Sequence, residues 1–191
     1  SGTGILYAGG SFTTAGGGAA NRIAAWSGTA WSALGTGMDG IVYAVVVGKD
    51  GTVYAGGSFT TADGGAALKI AKWNGTAWSA LGAGMDDSVY VLLIADSGIL
   101  YAGGIFHAAG GITALHIASW NGIAWSSLGS GVNDPVYYNA LAMDSAGLLY
   151  VGGGFTSAGG LTLAQALATW NGTAWAQIDI DLPSTPDVQA I

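Results

Sequence analysis

Few residues in this 191-residue chain are of types that do chemistry: two histidines, eleven aspartates, four cations and eight tryptophans. There is no cysteine, which removes thiol nucleophiles, disulfides and zinc–thiolate sites. His107 and His116 flank one loop and could share a face. A two-histidine metal site wants a further nitrogen or oxygen donor, and none is evident in the sequence; drifted surface positions are the simpler account. Asp179 and Asp181 stand at i and i+2, so they can share a strand face. Glycoside hydrolysis would use two carboxyls, but across a pocket. Aspartates also recur between units, at Asp39, Asp86 with Asp87, and Asp134. Calcium wants several oxygen ligands, yet this spacing matches no compact calcium loop, and aspartate is ordinary turn chemistry.

Two further sets are candidates for binding. Arg22, Lys69 and His116 hold one repeated position and would form a partial basic arc for an anionic ligand. The fourth copy offers Gln165 or Ala166 there, so the arc is incomplete, and a solvated strand end explains it more simply. Trp31, Trp78, Trp125 and Trp175 fall on outer strands, where indole rings could stack on sugars. Their pairing with Trp26, Trp73, Trp120 and Trp170 argues for packing between units instead. The candidate ligand-binding residues are thus Arg22, Lys69, His107, His116, Trp31, Trp78, Trp125 and Trp175. No catalytic residue, metal or cofactor is assigned.

The elements that must position these residues repeat. Tyr7-Ala-Gly-Gly-Ser-Phe recurs from Tyr54, Tyr101 and Tyr150 in closely similar form, each time followed by a tryptophan pair. The first two intervals are 47 residues and the third is 49, with the additions near Asp134-Pro135 and residues 144–147. A period of this size signals a propeller or a solenoid. Within a unit, residues 5–12 read as a strand ending on paired glycines, a place of close backbone approach. Residues 13–21 read as an aperiodic Gly/Ala-rich loop. Residues 22–26 and 30–34 read as two strands joined by Ser27-Gly28, and by Asn-Gly in later units, a hairpin signal that requires positive φ at both turn residues. Residues 41–47 are apolar throughout, which implies a strand buried on both faces.

One unit is therefore four antiparallel strands, and the expected fold is all-β: a β-propeller of four-stranded blades with four repeats. A parallel β-helix is the runner-up. The repeats run approximately 1–40, 41–87, 88–135 and 136–182, in a single domain. Val188-Gln-Ala-Ile191 matches Val42-Tyr-Ala-Val45, so 183–191 would supply the inner strand of the first blade or of a following one. A self-closed four-bladed ring, a larger ring and a section of an array all fit. Ser1 is no initiator, and the chain reads as a mature or excised segment.

Composition narrows the function classes. Charged residues are 8% of the chain, against about 25% in ordinary soluble domains. The net charge is −7, with no glutamate. Nucleic-acid binding needs clustered Lys and Arg to neutralise phosphate, so it is disfavoured, as is a basic membrane-surface patch. The apolar runs are too short for a transmembrane span. Asn74-Gly-Thr and Asn171-Gly-Thr match the glycosylation acceptor pattern, and hairpin turns explain both equally well.

With the Gly-Gly strand, the aromatic third strand and the outer tryptophan in place, the repeats resemble kelch-type β-propellers along the whole chain. They depart from kelch in the nearly neutral loop at 13–21. They are more similar to the Tyr-x-Gly-Gly-x-Phe-Thr, Ile-Ala-x-Trp-Asn-Gly repeats of fungal cell-polarity surface proteins and of large secreted bacterial and phage proteins. That resemblance implies a propeller in an extracellular or cell-surface setting, virion-associated in some cases, and no defined activity. The leading expectation is a non-catalytic structural or adhesive module with protein partners or self-assembly. A carbohydrate-binding propeller with one weak site per blade is the alternative, and a propeller hydrolase comes third.

Overall fold

The computed structural model describes residues 4–163 and 166–178, and every regular element in them is a β-strand. Four antiparallel sheets follow one another along the chain. The second sheet runs Val42–Val47, Val53–Gly57, Ile70–Trp73 and Trp78–Ala80 in spatial order. The third is Val89–Ile94, Leu100–Gly104, Ile117–Trp120 and Trp125–Ser127. The fourth is Leu141–Met143, Leu149–Gly152, Leu167–Trp170 and Trp175–Gln177. The first has three described strands, Leu6–Gly9, Ile23–Trp26 and Trp31–Ala33. The segment 188–191, expected as an inner strand, lies outside the described residues.

The sheets stack as propeller-like blades. Val42–Val47 lies against Leu6–Gly9 of the blade before it, Val89–Ile94 against Val42–Val47, and Leu141–Met143 against Val89–Ile94. Paired glycines make this approach feasible. A Cβ on Gly56 would stand 2.6 Å from Val89 Cγ1 of the next blade, and one on Gly103 would stand 2.6 Å from Val136 Cγ1. In the second, third and fourth blades the second glycine of the pair faces its own inner strand or the residue leading into it: a Cβ on Gly57, Gly104 or Gly153 would run into the carbonyl oxygen of Ile41, Ser88 or Pro135.

The core sits between blades rather than inside any one of them. One cluster joins Ile23, Leu34 and Met38 to Val42, Phe59 and Trp78. A second joins Ile70, Leu81 and Met85 to Leu92, Phe106 and Trp125. A third joins Val91, Ile117 and Leu128 to Val136, Phe155 and Trp175. A blade cannot bury its apolar faces alone, so stability depends on neighbours, as expected for stacked repeats.

Three expectations need correction. The stretch 13–21 holds a short hairpin, Thr14–Ala15 against Gly18–Ala19, and the later units repeat it. Two-residue strands are too short to show a period. The inner strands are only partly buried: in Val42–Val47, Val42 is buried and the other five residues keep some exposure. Neighbouring inner strands cover them only in part. The Asn-Gly turns are four-residue loops. Trp73 pairs with Trp78, and Asn74 Oδ1 accepts from the Thr76 and Ala77 amides at 2.9 Å. Gly75 alone takes a positive φ there, 101°, because the side-chain acceptor of Asn74 closes the turn.

Candidate functional site

Antiparallel pairing sorts the loops onto two faces. The small hairpins and the links to the next inner strand lie on one face, called upper here. The tips at 48–51, 95–98 and 144–147 lie on the lower face with the Asn-Gly turns.

The basic arc occupies a backbone position that sequence gave no hint of. Arg22, Lys69 and His116 all adopt left-handed φ, at 66°, 64° and 60°. Each amide donates to the preceding phenylalanine carbonyl, of Phe12, Phe59 or Phe106, at 2.8–2.9 Å. Each carbonyl accepts from Gly10, Gly57 or Gly104 at 2.9–3.0 Å, so two hydrogen bonds hold the strained residue. The Ala166 carbonyl takes the same role toward Gly153 at 3.2 Å, which makes Ala166 the fourth equivalent; Gln165 lies outside the described residues. The cations are occupied: Arg22 Nη1 donates to the Met38 carbonyl at 2.9 Å and Lys69 Nζ to that of Ser58 at 3.2 Å.

The recurring acidic position fastens one blade to the next. Asp39 Oδ1 accepts from the Thr60 and Thr61 amides at 2.7 and 2.8 Å. Asp86 Oδ1 accepts from the His107 and Ala108 amides at 2.9 Å. In the third unit the same role belongs to Asn133, toward Thr156 and Ser157, and not to Asp134. A neutral amide serves as well as a carboxylate, so the position requires an acceptor rather than a charge. Among the described residues no group of three or more metal-ligating side chains forms. Asp179 and Asp181 lie outside the described residues.

These bonds carry a pH dependence. Partial burial pushes Asp39 up, but hydrogen bonds from the Thr60 hydroxyl and the Thr61 and Thr60 amides outweigh it and bring its pKa to about 2. Asp86 is lowered too: burial opposes, and the Ala108 and His107 amides prevail. Asp50 is lowered chiefly by the amide and hydroxyl of Thr52. A carboxyl with a depressed folded-state pKa stabilises fully above its unfolded value, about 4, and loses that contribution as pH falls through the folded value. Urea midpoints should therefore decline first below about pH 6.5, where the unfolded chain protonates the imidazole that burial at His116 disfavours charging, and fall again between about 4 and 2. Asp39→Asn should shrink that fall, and an unchanged acid slope would remove Asp39 from this role.

The two histidines do meet. Their ring centroids are 4.8 Å apart at 63°, with His107 exposed and His116 buried at 7% exposure. Burial and the neighbouring His107 lower the His116 pKa, while Asp134, the Gly104 carbonyl and Asp86 act against them.

The tryptophans interlock the blades. Within each hairpin the two rings stand directly cross-strand with centroids 5.3–5.5 Å apart. The second ring of each pair is buried at Trp78, Trp125 and Trp175, and its Nε1 donates to Leu34, Leu81 or Leu128 of the preceding blade at 2.7–2.9 Å. Trp31 is half-buried. A shallow depression of about 260 Å³ beside Trp170 and Trp175 keeps some indole edge accessible.

Two features escaped the sequence reading. On the upper face, Tyr43, Tyr90 and Tyr138 converge from three blades, with centroids 5.4, 5.6 and 4.7 Å apart. Tyr138 lies at a turn made by the insertion, whose next residue Asn139 has a φ of 56°. Burial, then the neighbouring Tyr138 and Tyr43, raise the Tyr90 pKa, and burial and Tyr43 raise that of Tyr138. Tyr43 and Tyr90, 47 residues apart on inner strands, were the available signal, and Tyr138 lies one residue past the next equivalent position. On the lower face, clefts of about 420 and 590 Å³ lie between adjacent hairpin tips. The smaller is spanned by Lys49, whose Nζ sits 2.9 Å from Asp96 of the next blade. The larger is lined by Leu93, Ile99, Met143, Asp144 and Tyr101. Tyr101 is buried, and among the described residues its hydroxyl has no hydrogen-bond partner.

Fold and sites together define an all-β repeat protein of four propeller-like blades. No protein-family model matches the chain, and no curated protein matches it.

Proposed function

We propose that this chain is a non-catalytic structural or interaction module of the kelch-like propeller type, acting at a cell surface or in an extracellular assembly through protein partners or further copies of itself. One observation supports the reading: the polar positions that depart from the apolar repeat are spent on hydrogen bonds within blades and between them. Arg22 and Lys69 bond carbonyls of their own repeats, Asp39, Asp86 and Asn133 cap the next blade, and tyrosines from three blades pack on one another. The first blade's inner strand would come from 188–191 or from another copy, and the sparsely charged surface offers little repulsion to either arrangement.

Sedimentation velocity over a broad concentration range, paired with turnover screens on glycosides and esters, tests the reading. Background turnover together with an ordered oligomer or a partner complex is expected. Hydrolysis abolished by Asp179→Asn would overturn it.

The lower clefts favour a second reading, a carbohydrate-binding propeller. The larger has a volume within the roughly 300–1,000 Å³ of small-ligand sites. Apolar walls and a free phenol there suit a sugar better than the buried Trp78, Trp125 and Trp175 do. Under this reading, glycan-array signal should drop on Tyr101→Phe with the fold intact. Signal unchanged in that variant would dispose of the cleft as the binding place.

A further inference from the structure

The third blade departs from its neighbours at two positions at once, and the fold brings both departures together. His107 stands where the second blade has Thr60, and His116 stands where it has Lys69. Thr60 donates its hydroxyl to Asp39, and Lys69 donates its ammonium to the Ser58 carbonyl. Neither histidine makes the corresponding side-chain bond among the described residues. Instead the two imidazoles meet edge to face, and although the Gly104 carbonyl acts on its ring, buried His116 leaves Nδ1 outside hydrogen-bonding geometry with any described residue. A buried polar atom without a partner costs about 1–3 kcal/mol, and such an atom calls for an ion, a water or a functional role.

We propose that His107 and His116 form a binding site for a divalent transition ion of the copper, nickel or zinc type. Metal–imidazole bonds of about 2.0–2.1 Å put each ring centroid about 3.2 Å from the ion, so two imidazoles at roughly 90–110° stand about 4.5–5.2 Å apart. The observed 4.8 Å falls inside that span. Neutral imidazole is the ligating form. His107 is exposed, so its ring can turn to admit the ion. The two imidazoles are the protein ligands and water completes the shell, a donor set that suits copper, nickel and zinc and does not suit calcium.

Titration of the purified chain with Cu²⁺ alone tests this, by calorimetry and electron paramagnetic resonance. One strong site per chain is expected, with hyperfine structure from coordinated nitrogen. Either His107→Thr or His116→Lys, each restoring the residue of the second blade, should weaken binding at least tenfold without loss of fold. An excess of Ca²⁺ should not compete, and affinity should fall as pH drops below the imidazole range. Binding equal in the wild type and in the double variant would overturn the proposal, as would copper bound through oxygen alone.

Discussion

Replacing Trp125 with alanine is expected to destabilise the protein by about 3–5 kcal/mol, a sizeable share of a typical domain's total stability. Three contributions are lost together. A tryptophan buries about 150–250 Å², worth roughly 4–6 kcal/mol at about 25 cal/mol per Å² before relaxation. The ring also stacks on Trp120, with centroids 5.3 Å apart. Its Nε1 bond at 2.9 Å satisfies the Leu81 carbonyl of the preceding blade. Trp125→Phe separates these effects, because it keeps most of the area and deletes the bond. It should cost about 1–3 kcal/mol through the unpaired carbonyl. Urea denaturation followed by tryptophan fluorescence measures both. Equal and small losses would mean that the blades are held by something other than this interlock.

Gly104→Ala is the second large effect, for the opposite reason: it adds matter where there is none to spare. Its Cβ would run into the Ser88 carbonyl and stand 3.1 Å from Val89 Cα. Both are backbone of the paired inner strand, so no side-chain rotation relieves the clash. Overpacking of this kind costs about 1–3 kcal/mol, and immovable neighbours place it at the upper end. Gly111→Ala is the control. Its Cβ would meet nothing within 4 Å, and its φ of 85° imposes only left-handed strain, about 1–2 kcal/mol. A larger loss at Gly111 than at Gly104 would show that conformation, not close approach, fixes these glycines.

The strands, their order and their antiparallel sense were legible because they are local and occur four times. Recurrence turned Tyr-x-Gly-Gly-x-Phe and the tryptophan pair into an architectural signal that one copy would not carry. Close approach at the paired glycines was legible too, since a strand glycine has few other uses. The turn chemistry was half legible. Asn-Gly marked the hairpin, but the loop length follows from the Trp73–Trp78 register, which pairing sets.

The sites were another matter. Which carbonyl an indole or a guanidinium reaches depends on the stacking of blades, and stacking is non-local. The shared left-handed φ of Arg22, Lys69 and His116 has no residue signature, because an arginine and a lysine seldom mark that conformation. Asn133 replaces a carboxylate without changing the bond, so the run of aspartates pointed at charge where geometry required only an acceptor. Tyr43, Tyr90 and Tyr138 lie on three different blades and meet only in the assembled fold.

His107 and His116 show the division most clearly. The sequence by itself determined that both fall in one repeat, at the two ends of one loop, against a background with no other histidine. Folding of that loop decided that one is exposed, the other buried, and that their rings lie 4.8 Å apart. Repetition makes an exception visible in the sequence, but contact across a loop is set by a backbone path that the next blade and the strand register hold in place.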